Sequence, residues 1–168
     1  MAQKKKKQAP AKRPGTETPS ATRPRTATGT AAATPETRAE INALSQQIVI
    51  FSRFLYLYGK IANGLELAEA QVKRGELAGA LLEQNKQDKA RVVASISSLK
   101  AGLNQTLTTF QGSSRWQSQA IMISSAVDYI GTAEQLAAQG QFDEAGKTLA
   151  QVPEKLAEVL AEIAKNPR

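Results

Sequence analysis

The stretch INALSQQIVIFSRFLYLYGKIANGLELAEAQV, residues 41–72, decides the fold because its apolar side chains recur at alternating steps of three and four. This spacing places them along one side of an α-helix, as in the heptads of helical bundles. The positions that keep the spacing are Ile41, Leu44, Ile48, Phe51, Leu55, Tyr58, Ala62, Leu65 and Val72, with Glu69 at one of them. Residues 48–51 are also strand formers, but the sustained period outweighs that alternative. The stretch therefore predicts one long helix.

A second apolar stripe lies beside the first on the same helix. It consists of Ile50, Phe54, Leu57, Ile61 and Ala68. A helix that is apolar on two sides needs more than one neighbour, so we expect it to pack against at least two others.

The start of this helix is marked by Thr34, Pro35 and Glu36. Thr is a favoured N-cap, Pro fits the first turn, and an acid is stabilised near the positive end of the helix dipole. Order is therefore predicted to begin at Thr34.

Three more helices follow. The predicted helices span about 35–74, 76–111, 114–139 and 142–165, separated near Gly75, Gly112 and Gly140. Ser114 and Gln117 match a capping box at the start of the third. The apolar positions of the later helices are Leu77, Leu81, Val92, Ile96, Leu99, Leu103, Leu107 and Phe110, then Trp116, Ala120, Ile123, Val127 and Ile130, then Phe142, Ala145, Leu149, Val152, Leu156, Val159 and Ile163.

The connections between these helices are short, which makes chain neighbours antiparallel. Pro153 lies inside the fourth helix without resetting its apolar phase, so we expect a kink there and not a break. The sequence thus predicts an all-α fold, either an antiparallel four-helix bundle or two stacked helical hairpins. The first two helices are longer by roughly 16 Å, at 1.5 Å per residue. Either this overhang is a docking or dimerisation surface, or its ends fray.

All of the surplus positive charge lies at the N-terminal end of the chain. Residues 1–38 hold nine Lys or Arg against two Glu, which accounts for the formal net charge of +7, while the other 130 residues are neutral. Residues 2–33 contain no Leu, Ile, Val, Phe, Tyr or Trp and therefore cannot build a core. We predict a disordered basic tail at 1–33 and one helical domain at 34–168.

The tail is suited to binding a polyanion through its cations. The residues expected to contact it are Lys4, Lys5, Lys6, Lys7, Lys12, Arg13, Arg23 and Arg25. Release of counterions from nucleic-acid phosphates would drive such binding, which is nonspecific and sensitive to salt. Anionic lipid and an acidic protein patch remain alternatives, and so does an inert solubilising leader.

Composition argues against most chemistry. The chain has no Cys and no His, which excludes disulfides, thiolate sites and the commonest general base, and we expect no metal and no cofactor. Carboxylates four residues apart, Glu154, Glu158 and Glu162, are routine on a charged helix, so we expect no enzyme. Because no apolar run serves as a signal-peptide core or a membrane span, we expect a cytoplasmic protein.

Two charged residues are surrounded by apolar neighbours. Arg53 lies between Phe51 and Phe54, and Asp128 lies between Val127 and Tyr129. A buried Arg requires a carboxylate, so one hypothesis pairs Arg53 with Asp128 inside the bundle. The alternative is that Arg53 extends its charged end outward into solvent.

The turns near Gly75 and Gly140 resemble each other at an offset of 65 residues, with Glu69 matching Glu134 and Ala80 matching Ala145. Around the second turn, the small and large packing positions resemble a tetratricopeptide-repeat hairpin; they are Tyr129, Ala133, Leu136, Gly140, Phe142, Ala145 and Leu149. That resemblance implies protein or peptide binding without catalysis.

Together these features predict a noncatalytic helical interaction or scaffolding module that binds a protein partner or itself, with a tail that tethers it to a polyanion. The alternative is a nonspecific nucleic-acid-binding protein. No small-molecule substrate is indicated.

Overall fold

Four α-helices make up most of the region that the computed structural model describes, residues 34–165. They are α1 (Pro35–Lys73), α2 (Ala80–Gln111), α3 (Gln117–Ala138) and α4 (Phe142–Lys165), with a short 3-10 turn at Ser114–Trp116. Each helix packs against two others in the cyclic order α1, α2, α3, α4. The predicted all-α antiparallel bundle is confirmed.

The first apolar stripe of α1 and the stripes of α2, α3 and α4 supply the core, whereas Ile50, Leu57 and Ile61 of the second α1 stripe stay exposed. Every position predicted for α4 is buried, as are those of α3 together with Trp116 before it. From α1 the core receives Leu44, Phe51, Tyr58, Ala62 and Leu65, and from α2 it receives Val92, Ile96, Leu103, Leu107 and Phe110. The alternation of three and four in the sequence therefore identifies most of the inward side of each helix, the exception being Leu81 of α2, which is 64% exposed.

The N-terminus of α1 is capped as predicted. The Thr34 side chain accepts a hydrogen bond from the Thr37 backbone N–H at 3.2 Å, and Pro35 occupies the first turn. Arg115, from the 3-10 turn, donates to the buried Thr37 hydroxyl at 2.9 Å. The start of α1 is thus fixed to the connection between α2 and α3.

Two predicted helix starts are wrong. α2 begins at Ala80 and not at Glu76, because Gly79 adopts φ 61° and ψ −135°, which no helix contains. The capping box at Ser114 does not form, since a 3-10 turn occupies residues 114–116 and no side chain caps α3. α4 runs through Pro153 as one helix, and the kink at that residue stays a prediction.

The two similar turns, near Gly75 and Gly140, end their helices with the same type of C-cap. The Gln141 N–H donates to the Leu136 carbonyl at 2.9 Å and the Gly140 N–H to that of Ala137 at 3.0 Å. The equivalent bonds, 65 residues earlier, join Glu76 to Gln71 and Gly75 to Val72 at 2.9 and 3.0 Å. Both are Schellman motifs. The hairpins then differ, because α4 starts at once with the buried Phe142 whereas α2 starts only after Gly79.

The α1–α2 hairpin extends past the α3–α4 turn, as predicted. Near the end of the bundle, Lys89 of α2 binds Glu69 of α1 at 3.2 Å, and the Glu69 side chain lies against Gly140. Residues 80–88 of α2 lie beyond this level, a length of roughly 13 Å. In the described part of the chain, no helix combines the length and apolar character needed to cross a membrane.

Candidate docking groove

The least closely packed side of the bundle lies between α1 and α2. There the two helices enclose a groove of about 850 Å³ that runs from the bundle into the overhanging end of the hairpin. We call it the α1–α2 groove. Its lining consists of Phe54, Leu57, Tyr58, Lys60, Ile61, Gly64, Leu65, Ala68 and Gln71 from α1, Leu77 from the loop, and Leu81, Gln84, Asn85, Asp88, Arg91, Val92 and Ser95 from α2.

Large apolar side chains form the walls of the groove and remain open to solvent. Leu57 is 60% exposed, Ile61 47% and Leu81 64%. Leu57 and Ile61 belong to the second apolar stripe of α1, which the sequence predicts to be packed against a neighbour. The neighbour is incomplete, because α2 stands away from α1 here and α4 covers the opposite side. Contiguous apolar surface of this kind is typical of interaction sites.

The floor of the groove is apolar apart from two polar groups. Tyr58 is buried and donates its hydroxyl to the Phe142 carbonyl at 2.7 Å. Burial raises the pKa of the Tyr58 hydroxyl, and the nearby carboxylates of Glu66 and Asp143 raise it further, so the group remains a donor. Asn85 is only 8% exposed, and its side chain has no hydrogen-bond partner among the described residues.

The acids of the hairpin are already engaged. Glu69 binds Lys89, Glu83 binds Lys86 at 2.8 Å and Asp88 binds Arg91 at 3.2 Å. Arg74 and Glu76 pair at 2.9 Å, and the Glu66 carboxylate accepts the Asp143 backbone N–H at 3.3 Å.

Two cations near the groove have no acid partner within residues 34–165. Lys60 lies over the Tyr56 ring at 4.2 Å, and Arg53 makes no ion pair. The two are seven residues apart, so they lie on the same side of α1. The α1 rim of the groove is therefore positively charged.

The hypothesis of a buried pair between Arg53 and Asp128 is wrong. Both side chains are exposed, and no salt bridge joins them. The stripe around Arg53 faces solvent, so its charge needs no partner inside the protein.

The other predicted residues divide into two groups. The eight tail cations, from Lys4 to Arg25, and the predicted tail itself lie outside the described residues. The α4 carboxylates lie on its outer side, where Glu158 pairs with Lys155 at 2.8 Å and Glu162 with Lys165 at 2.7 Å. No group of three His, Cys, Asp or Glu residues within 34–165 could hold a metal ion.

A second depression, of about 550 Å³, lies between α1 and α4. Its charged groups satisfy one another, since Lys147 pairs with Asp143 at 2.7 Å and with Glu144 at 2.9 Å. Its polar groups therefore give no indication of a ligand. The α1–α2 groove is the stronger candidate because its apolar walls are open and its nearby cations, Arg53 and Lys60, have no acid partner among the described residues.

The sequence gives only part of this site. The second stripe of α1 and the overhang were both predicted, but the role of Asn85, the exposure of Leu81 and the opening between the helices were not. The relevant signal is the polar stretch of residues 83–91, which supplies little apolar surface to cover the second stripe. No protein-family model matches the chain, and neither a curated protein nor a solved structure is detectably similar to it.

Proposed function

We propose that this protein is a noncatalytic interaction module that holds an amphipathic helix of a partner protein in the α1–α2 groove, while its basic tail tethers it to a polyanion. The observation that carries the proposal is the open apolar groove itself. A groove between two helices is a common receptor for a third helix, which inserts side chains at positions i, i+3, i+4 and i+7. The predicted cytoplasmic location and the tetratricopeptide-like hairpin are compatible with this role.

The dimensions of the groove favour a helix. Its α1 wall runs from Phe54 to Gln71, roughly 26 Å, which matches about five helical turns of a partner. The chain's own tail is unsuited, because residues 2–33 contain no large apolar side chain to fill the groove.

Replacement of Leu57 by Asp is expected to weaken binding of a helical peptide at least tenfold, because one buried Leu contributes about 1.5–3 kcal/mol. The probe is a monomeric 18-residue helix with Leu on one face and Gln on its flanks. Titration calorimetry gives the Kd, and the amide NMR signal of Gly64, in the groove wall, reports the site.

Ile121→Asp is the matched control, since Ile121 is 72% exposed on α3 and lies outside the groove. It is expected to leave the Kd unchanged. Equal effects of the two variants, or no binding of the peptide by the native protein, would contradict the proposal.

Removal of residues 1–33 is expected to abolish binding to duplex DNA and RNA. With five to eight tail cations on phosphates, log Kobs for the full chain should fall with log[salt] at a slope of roughly −4 to −7. The measurement is fluorescence anisotropy of labelled duplexes at several salt concentrations. Equal binding by the chain that starts at Thr34 would assign nucleic-acid binding to the bundle. Binding by neither would remove nucleic acid as the polyanion.

A further inference from the structure

We propose that the helix received by the α1–α2 groove is acidic along the edge that faces the α1 rim. This inference rests on the proposed function and specifies the chemistry of the partner. It follows from how the charges of the α1–α2 hairpin are distributed and from the Asn85 amide, which lines the groove without a hydrogen-bond partner among residues 34–165.

The first argument is charge complementarity. Every acid from Glu66 to Asp88 on the hairpin already holds a partner within the bundle. Arg53 and Lys60 have no acid partner within residues 34–165, and both flank the apolar stripe that contains Leu57 and Ile61. Carboxylates on a bound helix would supply the missing partners, whereas basic residues there would be repelled.

The spacing of the two cations defines the pattern expected in the partner. Arg53 and Lys60 are seven residues apart, which is about 10.5 Å along the helix axis. Two acids seven residues apart on a roughly parallel or antiparallel helix have the same spacing and lie on one side. The expected partner therefore has Asp or Glu beside its apolar stripe with a heptad repeat.

The same charges argue against a second copy of this chain. If two α1 stripes packed antiparallel around Leu57, Arg53 of one copy would approach Lys60 of the other. Those like charges oppose association, and α1 offers no acid on that side to offset them. The groove therefore suits an acidic partner better than a second copy of this chain.

Asn85 adds a polar contact at the groove floor. Its side chain is nine-tenths buried, lines the groove and has no hydrogen-bond partner among the described residues. A single Asn within an apolar helical interface commonly fixes the register of the bound helix. We expect a polar side chain of the partner to meet Asn85.

The test compares three peptides with the same Leu face and with Glu, Gln or Lys at the flanking positions, titrated into the full-length protein. The Glu peptide is expected to bind about five- to thirtyfold more tightly than the Lys peptide, with the Gln peptide between them. The difference should shrink in 0.5 M salt, where the Debye length is only a few ångströms.

Charge-reversed variants locate the effect. The double variant Arg53→Glu, Lys60→Glu is expected to reverse the order of the peptides. The control is Lys73→Glu, which reverses the charge of an exposed residue on the same helix outside the groove. It is expected to leave the order of the peptides unchanged. The tail is present in every protein compared, so its attraction for the Glu peptide is common to all of them.

The outcomes separate the two proposals. Equal affinity for all three peptides, with Leu57→Asp still disruptive, would overturn the acidic partner and leave the groove as a helix receptor. A micromolar dimer abolished by Leu57→Asp would place a second copy in the groove and would also overturn the inference. No binding of any peptide would contradict the proposed function itself.

Discussion

Replacing Ile123 by Ala is expected to lower the free energy of unfolding by about 2–4 kcal/mol, whereas replacing Ile121 by Ala changes it by less than about 0.5 kcal/mol. The two residues have the same side chain, lie on the same helix and are separated by one position. Ile123 is fully buried in the core, while Ile121 is 72% exposed. Their difference therefore measures burial alone.

The reason for the large effect is the cavity left behind. Ile123 lies two turns into α3, which packs on both α2 and α4, so its missing methyl groups cannot be replaced by the movement of a loop. Loss of the transfer free energy is then added to the cost of an unfilled volume. Ile and Ala differ little in helix propensity, so that contribution is small in both variants.

The measurement is urea denaturation followed by circular dichroism. The midpoint should fall for Ile123→Ala with an unchanged m-value, because both variants expose nearly the same surface on unfolding. Similar midpoints for the two variants would contradict the placement of α3 in the bundle.

The sequence predicts α3 and α4 better than it predicts the hairpin before them. Both helices carry one apolar stripe, and a helix with one stripe has one way to face the core. From Phe142 to Ile163 every predicted position is buried. In α3 and α4 the periodicity is sufficient to predict the buried residues, because the only question is which side of each helix faces the core.

The α1–α2 hairpin is predicted less well because its structure depends on what surrounds it. Periodicity shows that Leu57 and Ile61 share a side of α1, but only the separation of α1 from α2 determines whether that side is covered. The late start of α2 depends on one backbone conformation at Gly79. Leu77 fits a helical pattern yet lies in the loop before α2, and Leu81 lies in α2 but is 64% exposed, because no core packs against either residue in the overhang.

Arg53 illustrates the same limit. Its apolar neighbours in the sequence suggest burial, and burial would require an acid such as Asp128. In the structure the stripe beside Arg53 is open, and both charges are solvated. A local pattern identifies a surface as apolar, but tertiary packing decides whether it becomes core or binding site.

Replacing Gly140 by Ala is expected to lower the free energy of unfolding by about 2–3 kcal/mol, and the same change at Gly75 by only about 1 kcal/mol. Both glycines end a helix in the left-handed conformation, at φ 80° and 71°, which costs an L-residue about 1–2 kcal/mol. At Gly75 nothing lies within 4 Å of an added Cβ, so the backbone term acts alone.

At Gly140 an added Cβ would also lie 2.5 Å from Cγ of Glu69. The Glu69 side chain cannot move away freely, because it is mostly buried and binds Lys89 at 3.2 Å. The Ala side chain must therefore break that ion pair or separate the α3–α4 turn from α1. Either response adds to the backbone strain that Gly75→Ala already measures.

A double-mutant cycle with Glu69→Ala separates the two contributions to the Gly140→Ala effect. If contact with Glu69 is responsible for the excess, Gly140→Ala in the Glu69→Ala background should cost about as much as Gly75→Ala, which chemical denaturation of the four proteins would measure. An undiminished cost in that background would contradict the close approach of the α3–α4 turn to α1. The turn is expected to respond in this way because its glycine has two roles, one in the backbone and one in packing, whereas the glycine of the overhanging hairpin has only the first.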